Sequence, residues 1–374
     1  MPDHSEPRAP SDAQTVTCSL DEGFSSWMSQ VGGSLVVSTY QANRVALLGW
    51  NGQEVSLLLR EFDKPMGLAV DRGRMLLATR HEVLLLANAP LLAHELIEGS
   101  PGRYDALYLP RVSFFTGDLN VHDVGVGAEG FWLVNSRFSC LSLASLEYSF
   151  LPRWKPPFVS ELVPEDRCHL NGLAMDQGKP RFVTALGEAD VVGGWRDKKA
   201  TGGIVVDVAS GEIVLRGLSM PHSPRWYDGA LWLLNSGTGE LICADVQRGT
   251  YGVVCGLPGY LRGLCFVGPW AIVGLCQVRE RHIFGGLPVH ERYPELLCGL
   301  AVIDLRTGKP AGMFRFTAGC EEIYDVAFLP GVRQPTIQSP HSQAAHEGFT
   351  APEFSYWLRP SAEIPPDDPT APAK

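Results

Sequence analysis

The chain repeats one pattern of hydrophobic and polar positions: an apolar run, a tight turn with glycine, and a second apolar run that ends on small polar residues. Copies run from Met66 to Thr79, His122 to Ser136, Asn171 to Ala185, His222 to Ser236 and Arg262 to Gly274. Short apolar runs bounded by glycine turns such as Asp71-Arg72-Gly73 and Tyr227-Asp228-Gly229 predict paired β-strands. A sixth copy is split. Its first run, Tyr324 to Gly331, has no second run after it, and Gly33 to Tyr40 has no first run before it. Pairing the two orphans closes a ring and removes the open sheet edges, so the prediction is an all-β, six-bladed β-propeller closed by N-terminal and C-terminal strands. A repeat of roughly 40 to 55 residues suits four strands per blade. Outer strands are visible as Gly203 to Val208 turning into Ile213 to Leu215, and Gly299 to Asp304 turning toward Met313 to Phe316.

Closure predicts which side chains meet at the axis. Alternate residues of a strand share a face, so the aligned entry positions Met66, His122, Asn171, His222, Arg262 and Tyr324 line up with Lys64, Asn120, His169, Met220, Tyr260 and Glu322 two residues earlier. An apolar plug is the plain expectation there, yet the set is polar. Long connections, 156–168, 186–202 and 277–298, all fall on the side where these strands begin, which makes that side the working face.

His122, His169 and His222 from separate blades suit a divalent transition metal, and nothing in their spacing separates Zn, Fe, Mn and Cu. Glu322 is expected as a fourth ligand, as a carboxylate that orients an imidazole, or as a general base; Glu321 is the weaker substitute because its side chain should face into the blade. Tyr324 and Arg262 are the other catalytic candidates, as proton donor and substrate clamp. Asn120, Arg137, Asn171 and Trp195 are the substrate-binding candidates, Trp195 because it follows Gly193-Gly194 in a long loop. Against these stand plainer roles: a histidine hydrogen-bonded to a loop, an arginine bridging blades, a tyrosine closing the channel. Arg225 to Gly229 reads as turn chemistry.

Composition narrows the class. With 374 residues, 45% hydrophobic and 19% charged, the chain has ample core for one propeller, residues 23–335. Flexible segments are expected at 1–22 and in the Pro-rich 336–374, although Phe354 to Leu358 is apolar enough to dock on the ring. A net charge of -10 argues against nucleic acid and anionic membranes as partners. Nine cysteines without a C-x-x-C pair read as reduced thiols, and the lack of a signal-like or membrane-spanning apolar stretch makes the cytoplasm the expected compartment.

The runs Asn135 to Leu141, Pro164 to Ala174 and Ser219 to Trp226 resemble an uncharacterised bacterial family of conserved hypothetical propeller proteins, sometimes joined to tetratricopeptide repeats, over about Trp27 to Pro335. That resemblance implies no particular activity. More distantly, a six-bladed ring with a polar axis is similar to gluconolactonase and paraoxonase-like hydrolases and to strictosidine-synthase-like proteins, whose lactonases hold their metal with carboxylate and Asn ligands. Carotenoid oxygenases, which use four axial histidines on seven blades, are nearer in ligand type. The expectation is a metal-dependent enzyme acting on a small organic or peptide substrate, with a lean to hydrolase or lyase chemistry. The alternatives are an iron- or copper-dependent oxidoreductase at the same histidines, a metal-free pocket using Glu322 and Tyr324, and a non-catalytic propeller that binds a peptide or protein.

Overall fold

Each copy of the repeat folds into an antiparallel four-stranded blade, and six such sheets follow one another around an axis in this computed structural model. It describes residues 15–98, 100–277 and 285–358. Blade 1 is the closing blade: Asp325–Pro330 pairs with Gly33–Thr39, with Val37 opposite Val326, and Arg44–Trp50 and Val55–Glu61 complete it. All seven residues of Gly33–Thr39 are buried, as an interior strand covered on both faces requires. Blades 2 to 6 have inner strands Leu68–Asp71, Val121–Gly127, Leu170–Asp176, Pro221–Tyr227 and Tyr260–Val267.

Turn chemistry at the bottom face follows from sequence. Arg72-Gly73, Gln177-Gly178 and Asp228-Gly229 all adopt positive φ at both positions, the two-residue hairpin whose twist matches the strands it joins. Apolar clusters fill the wedges between blades; Val36, Leu47, Leu77 and Leu86, for example, pack blade 1 on blade 2.

Both terminal segments contribute elements to the ring, among them the apolar run from Phe354 that was expected to dock. Thr17–Leu20 adds a fifth strand to blade 6 by pairing with Lys309–Ala318, and Asp21 caps the helix Glu22–Gln30 through a 2.8 Å bond from the Phe24 amide. That helix buries Phe24, Trp27 and Met28, which is why it docks: Phe24 lies 5.8 Å from Phe314, ring to ring. At the other end Pro335–Ile337 pairs in parallel with Ala106–Tyr108 on the outside of blade 2. Beyond it, the hairpin of Gly348–Ala351 and Phe354–Trp357 rests on that blade, and Trp357 donates to the Leu92 carbonyl. Both segments cover outer edges, the usual liability of open blades. Residues 1–14 and 359–374 of the expected flexible ends lie outside the described residues, as does 278–284 of one long top loop.

Candidate functional site

Entry into the inner strands is made by a kink shared among blades. Lys64, Asn120, His169 and Met220, all two residues before the aligned strand position, adopt left-handed φ of 49°, 54°, 51° and 47°. None is glycine, so each conformation is mildly unfavourable and persists because the surrounding structure demands it. The kink turns a carbonyl toward the side chain two residues on: His122 Nδ1 lies 2.9 Å from the Asn120 oxygen and His222 Nδ1 2.9 Å from the Met220 oxygen. Serines fourteen residues later complete both arrangements, Ser136 at 2.6 Å from His122 Nδ1 and Ser236 at 3.1 Å from His222 Nδ1. A carbonyl accepts only, so Nδ1 carries the proton in both rings and the Nε2 lone pairs face the axis.

His169 occupies the kink itself and projects one layer higher. Its Nδ1 donates to both oxygens of Asp166, at 2.9 and 3.0 Å, and its Nε2 stands 3.0 Å from His122 Nε2. Because both Nδ1 atoms are committed as donors, two Nε2 lone pairs would collide unless a cation lies between them. A proton shared between the two Nε2 atoms satisfies the geometry, with Asp166 behind His169. Burial holds His122 well below the usual imidazole range, and the neighbouring His169 and Arg262 push it the same way. Trp195 packs in a tilted arrangement, 4.7 Å from the His169 ring, and donates to Asp166 over 3.2 Å, which fixes the dyad from above.

These groups form one end of a pocket of about 230 Å3, whose wall also includes Tyr40, Asn120, Arg196, Arg262, Glu322 and Tyr324. Burial opposes the charge of Arg262, yet the guanidinium stays ionised, and the Glu322 carboxylate nearby favours its charge. Its carbon sits 4.7 Å over the Tyr324 ring. Burial raises the Tyr324 phenol well above its ordinary value, so it stays a neutral donor.

The structure thus brings His122, His169, Asn120, Trp195, Arg262, Glu322 and Tyr324 of the expected site to one pocket. Three expected members stand elsewhere. His222 lies behind Arg262, whose Nη2 is 3.4 Å from the His222 Nε2; the lone pair that a metal would need is turned to a guanidinium. Among the described residues no group of three or more His, Cys, Asp and Glu side chains is placed to hold one ion. Asn171 is a strap, its Oδ1 accepting from Thr184 and its Nδ2 donating across to the Pro221 carbonyl of blade 5. Arg137 is exposed and pairs with Asp118 at 2.8 Å. Asp166, Arg196 and Tyr40 were not singled out from sequence. Asp166 carries one usable signal, a carboxylate three residues before a histidine in a long top loop.

Below the pocket the axis is closed by Arg225, which the sequence reading assigned to a turn. It lies within an inner strand instead. Its Nη1 is 2.8 Å from Asp123 Oδ2 in blade 3, its Nη2 3.2 Å from Asp325 Oδ1 in blade 1, and its Nε donates to the Leu264 carbonyl in blade 6. Nη1 also reaches the Leu173 carbonyl in blade 4, while Asp325 accepts from the Leu68 amide in blade 2. Arg225 of blade 5 therefore ties five inner strands directly and the sixth, of blade 2, through Asp325.

Acid sensitivity follows from the two strand histidines. Burial, with Arg262, lowers His222 well below 6.5, as His122 is lowered. Below about pH 6.5 the unfolded chain binds protons that the folded chain refuses, so stability falls as pH drops, by up to about 2 kcal/mol per ring between pH 6.5 and 5. In His222→Gln the drop in urea unfolding free energy between pH 7 and 5 should shrink by about one ring's share; an unchanged drop would mean that His222 protonates without unfolding.

Six blades around a polar axis with a side-chain pocket at the strand-entry face define the class: a six-bladed β-propeller with a small-molecule-sized site at its top. The chain belongs to the family described as Domain of unknown function (DUF4915), whose profile matches residues 22–338. Among proteins of curated function, none matches its sequence. A solved structure described as the crystal structure of a nidogen/laminin complex is similar in fold, with a TM-score of 0.52 at 12% identity over 80% of this chain and 99% of that one. Likeness at that identity concerns the fold alone. Among the described residues no helix is long and apolar enough to cross a membrane.

Proposed function

We propose that the top pocket is the active site of an enzyme that moves protons on a small organic substrate, in hydrolase or lyase chemistry. The observation that supports this is the chain Asp166, His169, His122, in which a carboxylate-backed imidazole meets a neutral one at 3.0 Å on the pocket wall. His169 is the acid and base, Asp166 orients it and balances its charge, and His122 accepts or relays the proton. Tyr324 offers a second proton donor and Glu322 a carboxylate on the same wall, while Trp195 and the loop that carries it limit water. Consumption of a panel of small esters, lactones and hydroxy acids, followed by NMR, tests the reading. Turnover of a member should fall about 100-fold or more in His169→Ala, and less in Asp166→Asn, within the usual range for general acid–base groups. Equal turnover in wild type and His169→Ala would sink it.

A second reading places a divalent metal between the same two Nε2 atoms, with Glu322 nearby. What favours it is that their lone pairs converge, a geometry that a metal satisfies as well as a proton. Elemental analysis of untagged protein separates the two: near-stoichiometric metal that disappears in His122→Ala, His169→Ala favours the ion, and metal-free protein that keeps turnover in chelator favours the proton.

A further inference from the structure

We infer that the pocket takes a small monocarboxylate, with its carboxylate seated between Arg262 and the Tyr324 hydroxyl. The inference rests on the reading of this pocket as the working site and names what it would act on. Two donors on the pocket wall are left without acceptors. The Arg262 Nε and the Tyr324 hydroxyl are both buried and neither finds a hydrogen-bond partner among the described residues. Tyr324 is only 6% exposed, and both residues line the cavity. A buried donor without a partner costs about 1–3 kcal/mol, so two on one wall point to an acceptor that arrives from outside.

The chemistry of that acceptor follows from the donors. A guanidinium presents parallel N–H groups that fit a planar carboxylate, and the unpartnered Tyr324 hydroxyl adds an O–H donor to the same anion. Phosphate is the poorer match. Asp166 and Glu322 share the wall, and a second negative charge on the ligand would be repelled by both. Size sets the rest: about 230 Å3 holds about seven waters at their liquid volume, room for a compact acid and little more. Leu186, Met220 and Trp195 supply apolar surface for the remainder of the molecule. Seated this way, the carbons next to the carboxylate lie toward His122, whose ring centroid is 5.7 Å from that of Tyr324.

Calorimetric titration of the full chain with acetate, propionate, lactate and benzoate, each against its neutral amide, tests the seat. At least one acid should bind one-to-one and at least 10-fold more tightly than its amide. Arg262→Met should weaken that acid about 100-fold and Tyr324→Phe about 10-fold; Arg262→Lys, which keeps the charge without the fork, should fall between wild type and Arg262→Met. Melting curves establish that each variant is folded, and Tyr324→Phe serves alone if Arg262→Met is not. Failure of every acid to bind at millimolar concentration, equal binding of acid and amide, or undiminished binding in the folded variants overturns the inference. Acid binding by the wild-type chain with no turnover of any panel member leaves the seat standing and removes the enzyme reading. Turnover that depends on His169 with no acid preference does the reverse.

Discussion

Replacing Arg225 with methionine is expected to cost about 3–5 kcal/mol of unfolding free energy, the range for removing one partner of a buried ion pair and leaving the other uncompensated. Here two partners are left. Asp123 and Asp325 are 3% and 3% exposed, and their remaining hydrogen bonds come from backbone amides: Val124 and Leu173 for Asp123, Val326 and Leu68 for Asp325. The loss should depend on pH. Asp123 holds the shorter contact to Arg225, and burial pushes Asp325 up to about 7, with the charge of Asp123 adding to the effect. A carboxyl raised from 3.8 to about 7 is protonated in the fold but not in the unfolded chain across that window, so its contribution to stability is fully present at the acid end and declines as pH rises toward 7. This trend opposes that of His122 and His222 over the same range. Arg225→Met should therefore lose more stability at pH 8, where Asp325 must ionise, than at pH 5, where it carries a proton. Urea unfolding at the two pH values checks it. A loss below about 1 kcal/mol at pH 8 would remove the axial tie as a determinant of the ring.

Removing the chain through Thr39 is expected to abolish cooperative folding of all six blades instead of trimming one. Gly33–Thr39 is the second strand of blade 1, fully buried, and its loss leaves Asp325–Pro330 and Arg44–Trp50 without the strand between them. It also removes Ser38, whose hydroxyl accepts from the Asp325 amide and donates to the Met66 carbonyl at 2.5 Å, joining blade 1 to blade 2 beside the axial carboxylate. Differential scanning calorimetry reads the outcome. A single sharp transition retained in the truncated chain would contradict closure, whereas deleting the outer hairpin, residues 348–357, should leave such a transition in place, because that hairpin covers one blade only.

Much of this was legible before folding. Repeated runs such as Leu231 to Asn235 behind His222 to Trp226, and Arg72-Gly73 between Val70 and Met75, define strands and turns by local chemistry alone. Even the pairing of Gly33 to Tyr40 with Tyr324 to Gly331 follows from counting runs, because an orphan at each end has one partner available. Ring alignment also named seven of the pocket's side chains, among them His122, His169, Arg262 and Tyr324.

Alignment failed where side-chain direction depends on neighbours in other blades. His222 matches His122 in position, kink and supporting serine, yet Arg262 of the next blade takes its lone pair. Asn171 matches both and is drawn into a strap by Thr184 and Pro221. Arg225 reads as part of a turn because its partners, Asp123 and Asp325, lie about a hundred residues away in each direction and meet it only at the axis. Docking of Thr17–Leu20 was hidden for a related reason: it is short enough to read as tail, and it gains order from an edge that exists only once the blade has formed. The sequence by itself determined the strands, their turns, the number of blades and the face on which a site would lie, because those depend on period and local turn preference. Tertiary structure alone decided which polar side chains face the pocket and which are spent holding the ring together, since that choice is made by distances between blades that no local pattern encodes.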